Sequence, residues 1–223
     1  MTCPGLPTLV SGAKTREADV ELVKQVLEDL LSAGKQVLVA AHSYGGLVAS
    51  EAFGKRHTLA SRKERDLKGG IVRMLYFACF ILPPGSAIPD IMPFNADSKL
   101  DFAVDEDRDT CRVKNAQVAF YNDVAEQSQV NALVSKLVDH SLKVSWTPSI
   151  AGLGGEGLAW SHFPSTYVYC ELDNTITLPC QKKMVENIRR LSGKIDREIS
   201  LRCGHVPFLA ASDWCMEVFK ESF

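Results

Sequence analysis

The spacing of apolar residues divides the chain into helix-like and strand-like stretches. Val20, Val23, Leu27, Leu30 and Leu31 recur at three- and four-residue steps, which lines them up on one face of a helix. Thr15 is placed as its N-cap, Glu17 and Asp19 lie where the helix dipole favours carboxylates, and Gly34 ends the run. Gln36 to Ala41 follows as a continuous, mostly small-apolar stretch, the pattern of a strand buried on both faces. After a turn at His42 to Gly45, Leu47 to Phe53 is helical in pattern. Further buried strands are expected at Ile71 to Phe77, Tyr167 to Cys170 and Glu198 to Arg202. Helices are expected at Leu178 to Leu191 and Ser212 to Phe219. Strands alternating with helices in this way specify an α/β fold with a mostly parallel sheet.

One connection does not fit a simple crossover. Between the second and third strands lie about 80 residues, Ser86 to Ser165, where a parallel connection needs only about a dozen. This stretch holds a helical core at Ala125 to Leu137 and no convincing buried strand. It is expected to be a helical cap over the carboxyl edge of the sheet, where ligands bind in such folds. The expected organisation is a core of residues 1–85 and 166–223 with a cap insertion at 86–165.

Composition narrows the function classes. At 223 residues, 46% hydrophobic and 23% charged, the chain is of ordinary globular make-up, neither disordered nor collagen-like. Its 25 Lys and Arg against 27 Asp and Glu give a net charge of −2, no basis for a nucleic-acid or anionic-membrane partner. No apolar run approaches the roughly 18 residues of a membrane span, and no secretory signal pattern opens the chain. The seven cysteines (Cys3, Cys79, Cys111, Cys170, Cys180, Cys203, Cys215) are odd in number and contain no Cys-x-x-Cys pair. They suit free thiols in a reducing, cytoplasmic setting better than disulfides or a zinc site.

Chemistry concentrates at Val37-Leu38-Val39-Ala40-Ala41-His42-Ser43-Tyr44-Gly45-Gly46. A serine on a tight strand-to-helix turn is pushed outward above the sheet edge, and small residues are expected two before and two after it, here Ala41 and Gly45. The same turn leaves the Tyr44 backbone N–H at a helix N-terminus, aimed where a carbonyl oxygen would gain negative charge. A serine hydroxyl needs a base to become a useful nucleophile. His205, in Gly204-His205-Val206-Pro207-Phe208 directly after the fourth strand, is the candidate. An acid to orient its imidazole is expected from the loop after the third strand, where Asp173 is preferred over Glu171. The chain order serine, aspartate, histidine at three strand ends is that of an α/β-hydrolase triad. His42 is assigned a packing role beneath the turn. His57, His140 and His162 have no ligand-spaced companions, so solvated or packing roles are expected. Arg62 to Asp66 reads as a solvated face of mixed charge. Gly152 to Gly157 reads as a cap loop without the ending of a phosphate loop. Cys79 and Cys170 are expected to be inert core thiols, and Trp146, Trp160 and Phe120 to pack in or line the cap.

The chain resembles the α/β-hydrolase superfamily, in the branch of small esterases related to plant methylesterases and hydroxynitrile lyases. The matching features are Leu6-Pro7, the His42 to Gly46 turn, Phe77 to Gly85, Phe120-Tyr121-Asn122-Asp123, Pro164 to Tyr167 and Gly204 to Leu209. The resemblance implies a serine hydrolase acting on a small ester or related carbonyl compound, with a place in secondary metabolism. It needs no cofactor and no metal. A small-molecule substrate is the expected partner, with no nucleic acid and no membrane; a homodimer is left open. A lyase of the hydroxynitrile-lyase type and a catalytically impaired ligand-binding homologue are the alternatives. Family members also open with a strand ending in a His-Gly loop, then a helix and a strand, ahead of the Leu-Pro segment. Only five residues precede Leu6 here, so the expectation is a nucleophile strand at the sheet edge and a lost second oxyanion donor. A missing donor of that kind costs about 10²–10³ in turnover.

Overall fold

The computed structural model describes residues 15–150 and 156–222. Leu6-Pro7, Cys3 and positions 152–155 of the glycine-rich loop therefore lie outside the described residues.

The chain enters on helix α1 (Arg16–Ser32), which buries Val20, Leu27 and Leu31 together with Arg16 and Asp19. Thr15 sits at the N-cap with extended backbone, but its hydroxyl does not cap the helix; the Glu17 backbone N–H, with Thr15 adding to it, holds the Glu17 carboxyl below its ordinary range. Strand β1 (Gln36–His42) leads through a tight turn into α2 (Gly45–Ala52). The short α3 (Leu59–Lys63) precedes β2 (Gly70–Phe77). After the next insertion come β6 (Ser165–Cys170), α9 (Leu178–Arg190), β7 (Ile195–Leu201), α10 (Pro207–Ala210) and α11 (Ser212–Lys220). The four strands form one parallel sheet in the order β1-β2-β6-β7. Every residue of β6 is buried, which its run of β-branched and aromatic side chains requires. Helices pack on both faces, and the larger apolar cluster joins α1, α2, α9 and the sheet.

Two strands depart from expectation: β7, expected to be buried, has only its end residues Ile195 and Leu201 buried, and β1 is the other. Of β1 only Ala41 is fully buried, and its other residues are half-buried or exposed. Among the described residues β1 pairs with β2 alone, so no described strand covers its other side. The arginine in the charged run is a further departure: Arg62 is buried and donates to the carbonyls of Leu31 (3.0 Å) and Lys68 (2.8 Å), while residues 63–66 are exposed.

Residues 86–165 hold α4 (Ile88–Ile91), α5 (Ala116–Phe120), α6 (Gln127–Val134), α7 (Leu142–Trp146) and α8 (Ala159–His162). They also hold a small antiparallel sheet of β3 (Phe102–Asp105), β4 (Thr110–Val113) and β5 (His140–Ser141). β3 is exposed throughout and β4 and β5 are mostly half-buried, with Cys111 alone buried, which is why no buried apolar run announces them. Buried polar side chains fasten this segment to the core. Asn95 donates to Thr175 O (2.9 Å) and accepts from Thr177 N (2.8 Å) and Thr177 Oγ1 (2.9 Å). Arg16 bonds Glu51 (3.1 Å), Val144 O (3.0 Å) and Pro148 O (2.6 Å). No helix among the described residues is long and apolar enough to cross a membrane.

Candidate active site

Ser43 lies in the turn between β1 and α2, with φ of 53°, a left-handed backbone that is costly for a residue with a Cβ. Hydrogen bonds hold it there: Ser43 N donates to Phe77 O (3.3 Å), and Ser43 O accepts from Gly46 N and Phe80 N (3.1 Å each). The crowding that demands a small residue falls on Gly46 rather than Gly45. A Cβ at Gly46 would sit 2.5 Å from Phe80 O and 2.7 Å from Cys79 Cβ, whereas one at Gly45 meets nothing described within 4 Å. The sequence pattern therefore locates the turn correctly and names the wrong glycine as its tight point. Cys79 lies just beyond β2, fully buried under this turn, and burial raises its thiol well above the ordinary range.

Three side chains from three strand ends meet here. His205 Nε2 lies 3.0 Å from Ser43 Oγ, and His205 Nδ1 lies 2.8 Å from Asp173 Oδ2. Asp173 and His205 are both buried, whereas Glu171, the competing acid, is exposed. The other oxygen of Asp173 accepts from Thr175 N (2.7 Å) and Ile176 N (3.0 Å). A carboxylate only accepts, so His205 Nδ1–H donates to Asp173, and Nε2 is left with its lone pair toward the serine hydroxyl. Tyr44 is the N-cap of α2, and its N–H makes no hydrogen bond with a described residue. Its phenol donates to Asp19 Oδ2 (2.9 Å), and burial raises both groups. Asp19, expected as a helix-dipole carboxylate, is thus a buried acceptor.

His42 packs beneath the turn. Burial, with His205 adding to it, pushes its imidazole down to about 3 from 6.5. Neutral His42 donates Nε2–H to His205 O at 2.6 Å. The unfolded chain restores the ordinary value, so on acidification it takes the proton first. The stability present above 6.5 is therefore lost progressively as pH falls toward the folded value. The slope is up to about 1.4 kcal/mol per pH unit. Burial lowers His57 and His140 as well, with the same sign. Urea midpoints of wild type are expected to fall more steeply below pH 6.5 than those of His42→Gln, which keeps an N–H donor. Parallel curves would contradict this account.

The remaining candidates sort clearly. Phe120 stacks on the His205 ring (5.4 Å between centroids, 26°), Trp160 is buried in the core cluster, and Trp146 is exposed. His57 is buried beside Glu28 (3.1 Å), His140 stands edge-on to the Tyr44 ring, and His162 packs on Phe163. The six described cysteines are free and buried.

Residues 2–218 match the model of a family described as the alpha/beta hydrolase family. Among curated proteins the chain is similar to a probable hydrolase, R7, of Phoma sp. (25% identity; 87% of this chain, 73% of that one). It is also similar to the alpha/beta hydrolase nvfD of Aspergillus novofumigatus (22% identity; 97% and 82%). Among solved structures it resembles the methylesterase MES16 of Arabidopsis (TM-score 0.68, 16% identity, 97% of this chain and 80% of that one). Polyneuridine aldehyde esterase is alike to a similar degree (TM-score 0.66, 14% identity, 97% and 83%). At these identities the structural likeness shows the fold.

Proposed function

Since the chain belongs to the alpha/beta hydrolase family, we propose that it is a serine hydrolase cleaving a small ester or related carbonyl compound, with residues 86–165 as its cap. Ser43 is the nucleophile, His205 the base, Asp173 the group that fixes the imidazole, and the Tyr44 N–H an oxyanion donor. The observation that carries this reading is the unbroken line from Ser43 Oγ through His205 to Asp173, at 3.0 and 2.8 Å.

The chemistry follows from that line. His205 Nε2 takes the hydroxyl proton as Ser43 Oγ bonds to the substrate carbonyl carbon. Negative charge collects on the carbonyl oxygen, where the Tyr44 N–H and the start of α2 stabilise it. Asp173 stabilises the imidazolium, which gives its proton to the departing alkoxide. Water then attacks the acyl-Ser43 ester, His205 takes its proton, and acid and free serine are released.

A fluorophosphonate probe tests this directly. Mass spectrometry is expected to find one phosphonyl group on the peptide carrying Ser43, and turnover of a p-nitrophenyl ester should fall in step with labelling. Ligands that raise the melting temperature while turnover stays at background and Ser43 stays unlabelled would favour a binding protein instead. Carbon–carbon cleavage without an acyl adduct would favour a lyase.

A further inference from the structure

The acid and the base sit on core loops, yet a short segment of the insertion holds both loops. Asn122 Nδ2 donates to Leu172 O (2.9 Å), Asn174 Nδ2 donates to Val118 O (2.9 Å), and Thr175 Oγ1 donates to Ala119 O (2.8 Å). These three bonds grip the loop of Asp173. On the other loop, Gly204 N donates to Asp123 Oδ2, and Phe120 lies against the His205 ring. A Cβ at Gly204 would stand 2.3 Å from Asn122 Oδ1 and 2.7 Å from Asp123 Oδ1, so a larger residue there would displace both side chains. From the sheet side His42 bonds the His205 carbonyl. The backbone is thus fixed on both sides of the imidazole, once by the turn beneath and once by Asp123.

Among the described residues the second oxygen of Asp123 is buried without a hydrogen-bond partner. An acceptor left so is costly and calls for a reason. Its partner oxygen supplies one: it ties down the amide next to His205.

We propose that Asp123 is a positioning residue for the hydrolase reaction, holding His205 between Ser43 and Asp173 through the Gly204 amide. It touches neither substrate nor the reacting atoms. The inference rests on the serine-hydrolase reading. Misplacing a catalytic group by about 1 Å costs about 10²-fold in rate, so Asp123→Ala is expected to lower kcat for a p-nitrophenyl ester about 10- to 100-fold with KM little changed. Asp123→Asn, which keeps an acceptor for Gly204 N, should recover most of the loss. Proton NMR gives a second readout independent of turnover. The downfield His205 Nδ1–H signal should be sharp in wild type and Asp123→Asn, and broadened or lost in Asp123→Ala. Val130→Ala, which opens the small cluster around Tyr121 in the same segment, controls for simple destabilisation and should leave the signal and kcat as they are.

Unchanged kcat and signal in Asp123→Ala would overturn the proposal. So would equal losses in Val130→Ala at matched melting temperature, or a wild type without the downfield signal. A wild type that shows the signal but no ester turnover would instead overturn the serine-hydrolase reading and leave the NMR comparison to decide the role of Asp123.

Discussion

Asp173→Asn is expected to lower ester turnover by about 10⁴-fold while leaving the fold intact. The size follows from where the two oxygens of Asp173 point. Oδ1 receives two backbone N–H groups, from Thr175 and Ile176, so the amide NH₂ of an asparagine cannot occupy that place without facing two donors. It must turn toward His205 Nδ1 instead. Nδ1 then becomes the acceptor and the proton moves to Nε2, which would donate to Ser43 Oγ rather than take its proton. The variant would keep every packing contact and carry the wrong tautomer. Steady-state kinetics beside an unchanged circular dichroism spectrum would show this. A loss of less than about tenfold would mean that Asp173 does not set the tautomer.

The largest expected effect on stability lies away from the nucleophile. Arg16 and Glu51 are both 2% exposed and pair at 3.1 Å. Burial raises the Glu51 carboxyl although Arg16 pulls the other way. Removing one partner of a buried pair typically costs about 3–5 kcal/mol because the other charge is stranded. Glu51→Met strands a guanidinium that stays charged at any ordinary pH, so the full loss is expected. Arg16→Met strands a carboxylate whose escape is to take up a proton, so its loss should shrink as pH falls. The double variant should lose less than the sum of the two, since neither charge is then left alone. Urea denaturation of the three variants at neutral and mildly acidic pH would check this. Additive losses would show that the two side chains act independently.

Much of this architecture is legible in the chain. Apolar runs fix β2 and β6, helical spacing fixes α1 and α9, and the order of Ser43, Asp173 and His205 at strand ends marks the site. The physics behind each is local or periodic. What escapes is non-local. Arg16 looks like any exposed first-turn residue until Glu51 and the Val144 and Pro148 carbonyls surround it. Asn122 and Asp123 belong to a recognisable motif, but the carbonyl and the amide they bond lie 50 and 81 positions away, respectively. β3 is exposed and β4 buries only Cys111, so burial leaves no continuous mark on them. Their signal is the hairpin itself, Phe102–Asp105 and Thr110–Val113 flanking a charged turn. Ala41 to Gly46 shows a subtler limit: the pattern gives the turn, but only three-dimensional contact shows that Gly46 bears the squeeze.

The seam between Asn122-Asp123 and Gly204 has a practical corollary for protein engineering. The insertion and the core are not interchangeable cassettes. Transplanting residues 86–165 from a relative would also replace the parts that hold the loops of Asp173 and His205. A chimera built that way should carry Val118 to Asp123 of the recipient with it, or bring the donor's partners for positions 172–175 and 204 along as well.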